Sequence, residues 1–513
     1  MRAAAIAVLW LIGVATAAAA AGIPAVAYHD IVAARNGDPY AITVDEFAQQ
    51  LAYLKRAGYE PISLKQLDAA RRGDRALPSK PILLTFDDAL RSFDVHARPL
   101  LERYGYPAVV SIVSRWADAG RVAADAHAGM AMTWDELRAL SRSPLVELIS
   151  HSDDLHRGIA GDAHATQAAA ATARVFDATR GMESDAARAT RVGNDVARSA
   201  ARIKDELGIS PVAIAWPYGE YDATLVAAAA AAGMTYHLTL DDVPTTLATL
   251  PQINRFTLHR YQGLADFSRA LAFQGHYRRD QRFVEVGFDM FAGATADERA
   301  RMLGQLLDRL RLLRVNSVIL HPFTADGARA FFSTGALPVD DDLALRVTMA
   351  ILRRTSVQRI YLRLPPVDAA AGAALVSDFA RRHVLHGVLL DGDAAAADID
   401  RIRKIVRSYR PYAHVYVPSR LTHRTGDAIW AEVDTSASSA TLRALARRFD
   451  AASTLYLVRH HASDDALRAA LTALREGGAR HYGYAADAML ANRPDARVIV
   501  APLHAHTIAV RAP

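Results

Sequence analysis

Short, continuous apolar runs recur along this chain, and most close on a cluster of polar residues. They read IPAVAYHDI from Ile23, PILLTFDDAL from Pro81, PAVVSIV from Pro107, LVELISH from Leu145, PVAIAWPYG from Pro211 and MTYHLTL from Met234. Runs that do not alternate apolar with polar need both faces buried, the condition of a strand in a parallel sheet covered by helices. Helical segments lie between them. Thr43 to Ala57 has a Thr N-cap, Phe47, Leu51 and Leu54 at helical spacing, and Gly58 just past its end. Asp195 to Leu207 is a second helix, closed by Gly208. Strands alternating with helices specify a parallel α/β architecture. The stretch His164 to Gly193, rich in Ala, Thr and Arg, reads as a helical surface insertion.

A polar, basic stretch from Gly275 to Arg282 (GHYRRDQR) separates this series from a second one. The strands expected there are RFVEVGFDM, VNSVILHPF, VQRIYLRLP, HGVLLDGD, AHVYVP, DAIWAEV, STLYLVRH and RVIVAPL, with helices such as Ala296 to Arg314 between them. That pattern predicts a second β/α barrel of about 230 residues, against roughly 250 for a typical one.

Composition removes several classes of function. The 513 residues contain no cysteine, so disulfides, thiol catalysis, cysteine-ligated zinc and a lipoprotein anchor are excluded. Lys+Arg 60 against Asp+Glu 55 leaves a net charge of +5, too mild and too scattered for a dedicated nucleic-acid binder. Met1 to Ala21 carries Arg2, an apolar stretch and small residues at its end, a secretory signal pattern that places the rest outside the cytoplasm. Nothing after Gly22 reads as a membrane span.

The chemistry is concentrated where apolar runs end, the place at which parallel α/β folds build their sites. Four fragments share that position: Tyr28-His29-Asp30, Thr85-Phe86-Asp87-Asp88, His151-Ser152-Asp153-Asp154-Leu155-His156, and Trp216-Pro217-Tyr218-Gly219. One carboxylate with two imidazoles suits a borderline divalent cation with open positions. The other carboxylate of Asp87-Asp88 then stays off the metal as a general base. His151 and His156 lie five apart, a spacing wrong for one helix face but right for a strand end and a tight turn. Each fragment alone has an ordinary explanation, since paired aspartates after a strand commonly cap the next helix. Four together, each closing an apolar run, point to one site.

TFDD, HSDDLH and WPYG resemble the motifs of the polysaccharide deacetylases of carbohydrate esterase family 4. YHDI at the front, the HSDDLHRG form of the histidine motif and the second barrel resemble, within that family, the periplasmic deacetylases of exported poly-β-1,6-N-acetyl-D-glucosamine. The resemblance implies a signal peptide over 1–21, a distorted β/α-barrel deacetylase domain over 22–275 and a glycoside-hydrolase-like β/α barrel over 280–513. It implies one divalent transition metal ion, zinc first and nickel, cobalt or iron as alternatives, held by Asp88, His151 and His156. Asp87 is the implied general base, His29 the general acid, and Tyr218 the donor of a backbone N–H to the oxyanion. Asp153 and Asp154 are expected to face solvent or orient a histidine. The implied partners are an N-acetylglucosamine polymer and an outer-membrane export porin, with a periplasmic or otherwise exported location.

In the second half, Asp289, Asp326, Asp391, Asp393, Glu432 and Asp434 stand at strand ends. The family has adjacent aspartates where this chain has Asp391-Gly392-Asp393, so the resemblance implies a degenerate, binding or scaffolding domain there rather than a glycosidase. His321, His460 and His461 read as barrel-end or surface residues, and Trp116 and Trp134 as sugar platforms or packing. Two other functions fit the same residues: deacetylation of another N-acetylated glycan, such as peptidoglycan or chitin-like oligomers, and non-catalytic polysaccharide binding during export.

Overall fold

The computed structural model describes residues 22–122, 129–241, 243–273, 280–391, 395–410, 413–420, 428–461 and 463–504. The expected signal segment Met1 to Ala21 lies outside them. Two compact units emerge. One takes the chain up to Gly158 with Ala169–Ala171 and Ser184–Arg279. The other takes Ile159–Ala168, Thr172–Glu183 and the chain from Asp280 on.

The first unit is built on parallel strands β1 (Ala25–Tyr28), β2 (Pro81–Phe86), β3 (Ala108–Ile112), β4 (Val146–Ser150), β5 (Ala213–Ala215), β6 (Tyr236–Thr239), β7 (Gln252–Asn254) and β8 (Phe256–Thr257). Their order across the sheet is β7-β6-β5-β4-β3-β2-β1-β8. The two edge strands are consecutive in the chain, separated by Arg255 alone, so the sheet has to wrap round until its edges meet. No ladder joins β7 to β8 among the described residues, and the ring is interrupted at Arg255. This is the distorted barrel expected of the sequence.

Because the strands are parallel, their carboxyl ends share one rim. Tyr28 pairs with Phe86, which sets His29 level with Asp87. Ile112 pairs with Ser150, and Ser150 with Ile214, so His151 comes out on the same rim. The flanking helices follow the expected signals. Val44–Ala57 opens with a Thr43–Glu46 capping box, buries Phe47, Leu51 and Leu54, and ends on Gly58 at φ 73°.

The expected helical insertion is only partly helical. Its first part forms the short strands Gly158–Ala160, Gln167–Ala169, Phe176–Asp177 and Gly181–Met182. Asp162 accepts from the N–H groups of His164 and Thr166, and Asp177 from those of Thr179 and Arg180. Such Asp turns compete with a helix for the same backbone donors. The helix starts only at the Ser184 cap and runs from Asp185 to Leu207.

The second unit contains a closed parallel barrel, among the described residues β9 (Gln281–Gly287), β10 (Ser317–His321), β11 (Arg359–Leu364), β12 (Gly387–Leu390), β13 (His414–Pro418), β14 (Ile429–Asp434), β15 (Thr454–Arg459) and β16 (His481–Ala485). Alternate residues face opposite ways. Phe283, Ile319, Tyr361, Leu389, Tyr416 and Leu455 form one cluster, while Val284, Val318, Ile360 and Val388 join the helices in another. RVIVAPL, read from sequence as the last strand, is instead the helix Ala496–Leu503. Its Ala496, Ile499 and Leu503 recur at helical spacing on the core side. The closing strand is HYGYA, which the sequence reading missed. It pairs with β9 at Gly483, where a Cβ would stand 1.9 Å from the Phe283 carbonyl oxygen.

Candidate metal centre

Three turns on the first unit's rim carry left-handed backbone at non-glycine residues. Asp88 has φ 71°, Ser152 φ 73° and Tyr218 φ 59°. Such conformations cost energy and persist where the surrounding structure holds a functional geometry. The turn after β2 aims Asp88 inward. The loop after β4 brings His151 and His156 to it. Each Nε2 lies 3.4 Å from Asp88 Oδ1, and all three side chains are buried.

The donor set fits a metal. Ligand atoms bound at about 2.1 Å in tetrahedral geometry stand roughly 3.4 Å apart. One ligand atom from each of the three residues lies within 4.8 Å of the others. His151 Nδ1 is 2.7 Å from the Ala215 carbonyl oxygen; as its donor it leaves Nε2 as the free lone pair, the usual outer-shell arrangement of a ligating histidine.

Asp87 faces a different environment one residue earlier. Arg255, fully buried at the break in the ring, donates from Nη1 to Oδ1 at 2.7 Å and from Nη2 to Oδ2 at 3.0 Å, while the Ser111 hydroxyl donates to Oδ1 at 2.9 Å. Burial by itself would raise this carboxyl, but Arg255, with His151 and His29, pulls it below the usual carboxylate range. Asp87 is therefore ionised, fixed in orientation, and still has lone pairs for a proton. His29 is close enough to contribute to that field, and its ring lies 5.0 Å from that of Tyr40. Arg255 escaped the sequence reading. Its one signal was an arginine inside the apolar run QINRFTL.

The histidine loop is held from behind by the helix Asp185–Leu207. Asp195 accepts from the backbone N–H groups of Asp153 and Asp154, each at 2.9 Å. Ser199 hydrogen-bonds Ser150, and Arg198 pairs with Asp153 at 3.1 Å. Asp153 is thus buried rather than solvent-facing, and takes a second bond of 2.6 Å from Ser114. Asp154 pairs with Arg157 at 3.0 Å. Both aspartates tie the loop to its surroundings. The Tyr218 ring packs 4.5 Å from His156, and Gly219 beside it admits no Cβ, which would meet Leu240 at 2.8 Å. Trp116 lies 4.8 Å from the His156 ring and Trp134 donates to Asp118; both are nearly buried and serve as packing.

In the second unit, Arg363 gathers carboxylates at the barrel mouth. It pairs with Asp391 at 2.9 Å, with Glu285, which the sequence reading passed over, and with Glu432 at 3.8 Å. Glu432 also pairs with Arg459. Asp326 and Asp434 bond to nearby backbone N–H groups in turns, and Asp289 accepts from Ala325. His460 and His461 stand near Asp464 and Asp434. Asp393 is outside the described residues.

Residues 74–237 match the family model described as polysaccharide deacetylase. The deacetylase domain of BpsB from Bordetella bronchiseptica is 34% identical, with 45% of this chain and 94% of that chain covered and a TM-score of 0.42. The chain belongs to the polysaccharide deacetylase family. Another solved relative of this deacetylase family, a de-N-acetylase from Aggregatibacter actinomycetemcomitans, is 28% identical over 49% of this chain and 100% of its own, with a TM-score of 0.46. A curated relative, the poly-beta-1,6-N-acetyl-D-glucosamine N-deacetylase of Escherichia coli (strain K12), is 26% identical over 361 residues. That match takes in 67% of this chain and 53% of the relative, so the chain spans about half the length of the curated proteins it matches. Among the described residues no helix is long and apolar enough to cross a membrane.

Proposed function

We propose that this polysaccharide deacetylase is a metal-dependent N-deacetylase that removes acetyl groups from exported poly-β-1,6-N-acetyl-D-glucosamine. The observation that carries the reading is the buried Asp88–His151–His156 cluster, with an ionised carboxylate, Asp87, next in the chain. The names of the curated relatives support the polymer.

An N-acetyl amide resists hydrolysis because its carbonyl is resonance-stabilised and its amine leaves poorly. A divalent ion held by Asp88, His151 and His156 would polarise the carbonyl and acidify the attacking water. Asp87, oriented by Arg255 and Ser111, takes the proton from that water. The turn at Tyr218 supplies a backbone N–H for the developing oxyanion. His29, level with Asp87 on the neighbouring strand, protonates the departing amine.

The test is amine release from poly-β-1,6-N-acetylglucosamine, with and without chelator. Release that stops on chelation and returns with added metal supports the reading. Release from chitin oligomers or peptidoglycan but not from this polymer would move the substrate assignment. Release indifferent to chelator would remove the metal from the mechanism.

A further inference from the structure

A cavity of about 540 Å³ opens at the floor of the second barrel, lined by Arg282, Leu312, Arg314, Arg475, Tyr482, Val500, Ala501, Pro502 and His504. Its place follows from the topology. Arg282 and Tyr482 are the second residues of β9 and β16, and the other lining residues lie at or just beyond the carboxyl ends of three helices that run back to the strand starts. Catalysis on such barrels sits at the opposite, carboxyl ends of the strands. A ligand taken up here is therefore no substrate of the barrel mouth.

Three guanidiniums line the cavity and no carboxylate does. The ordinary reading is that basic residues complement helix carboxyl ends. Three helix ends offset only roughly half an elementary charge each, which leaves the guanidiniums in surplus. Arg282 shows where that surplus points. Its side chain is 8% exposed and stacks 3.9 Å from the Tyr482 ring centroid, and Nη1 donates to the Gln281 and Arg480 carbonyls. Nη2 forms an ion pair with Asp280 at 3.6 Å, too long for a hydrogen bond, and the buried Nε has no partner among the described residues. Burial lowers the Arg282 pKa against the opposing pull of Tyr482 and Asp280, and Arg475 adds like-charge repulsion. A buried cation with an unmet donor, lining one cavity with two further guanidiniums and sharing its one carboxylate with Arg480, calls for an anion.

We propose that this cavity binds a phosphate ester, its phosphate held by Arg282, Arg475 and Arg314 and its apolar part resting on Leu312, Val500 and Pro502. Guanidinium forks match both carboxylate and phosphate, but several of them round one cavity suit the group with more terminal oxygens. The volume exceeds what a bare phosphate fills, and half-exposed Leu312 gives the ester's carbon part a surface.

Two sources share this chemistry, a soluble ester and a lipid headgroup, and two arms separate them. Calorimetry of the full chain with glycerol 3-phosphate reads the first. Co-sedimentation with phosphatidylglycerol vesicles, against phosphatidylcholine vesicles, reads the second. Saturable binding in at least one arm is expected, weakened at least tenfold in the double variant Arg314→Gln/Arg475→Gln, whose exposed side chains leave the fold intact by circular dichroism. Arg282→Met should weaken the same arm; if that variant unfolds, the double variant alone decides. No saturable binding in either arm, or equal binding by the folded double variant, overturns the assignment.

Discussion

Asp195→Asn separates what stabilises the first unit from what shapes its proposed metal centre. Burial pushes the Asp195 carboxyl from the ordinary 3.8 up to about 6, against the N–H groups of Asp153 and Asp154 that pull it down. Keeping it ionised at pH 7 therefore costs about 3 kcal/mol, from two pKa units at 1.36 kcal/mol each. Asparagine removes that cost. It accepts from only one of the two N–H groups and turns an NH₂ toward the other, a loss of about 1–3 kcal/mol. The two terms nearly cancel, so urea unfolding of the metal-free variant at pH 7 should stay within about 2 kcal/mol of wild type. The loop carrying His151 and His156 nevertheless loses one of its two backbone anchors. Metal affinity, read by competition with a chromophoric chelator, should fall about 10- to 100-fold, as when an outer-shell partner is lost. The pH dependence has a definite sign. The folded carboxyl titrates above the unfolded one, so the folded state binds more protons between about 6 and 3.8, and wild type gains stability as pH falls through that window. The variant lacks that gain. Unchanged metal affinity in folded Asp195→Asn protein, or a loss of stability well beyond about 2 kcal/mol, would refute the reasoning.

The site residues should separate by role. His156→Ala should lose both bound metal and turnover, whereas Asp87→Asn should keep its metal and lose roughly 10²- to 10⁴-fold in kcat; metal analysis beside kinetics checks both, and an apo Asp87→Asn with a loaded Asp88→Asn would exchange the two assignments. Arg255→Met should strand a buried Asp87 without its cation, so its carboxyl titrates higher and the acid limb of the pH–rate profile moves to higher pH; an unmoved limb would show that Arg255 does not tune the base. His29→Ala should retain metal while losing turnover and the alkaline limb of that profile, and near-normal rates would leave the amine without a proton donor.

Much of this was legible in the chain. Continuous apolar strands ending in TFDD, HSDDLH and WPYG announced a parallel fold and the rim on which its site lies, because burial on both faces and polar strand ends are local properties of sequence. The boundary signals of the helix Val44–Ala57 were equally plain, since its caps are contacts three residues apart. Errors came where a segment's own pattern served two outcomes. RVIVAPL is apolar enough for a strand, yet its packing residues recur every third or fourth position and it is a helix. HYGYA is short, with a glycine at its centre, and it closes the barrel at a point where only a glycine fits against the Phe283 carbonyl.

What the sequence determined by itself is the strand ends and the polar side chains they carry: Asp87, Asp88, His151, His156, His29 and Tyr218. The tertiary structure alone decided how those groups are held. Arg255, 168 residues from Asp87 in the chain, reaches it because the sheet wraps until its first and last strands adjoin. Asp195 reaches the histidine loop because a helix packs behind β4, placing its carboxylate on the backbone N–H groups of Asp153 and Asp154, 42 and 41 positions away. Local pattern encodes which face of an element is apolar. It does not encode which polar side chain a distant element will bring to a buried carboxylate or an unsatisfied N–H, and those long-range pairings hold the Asp87 carboxylate and the histidine loop in place.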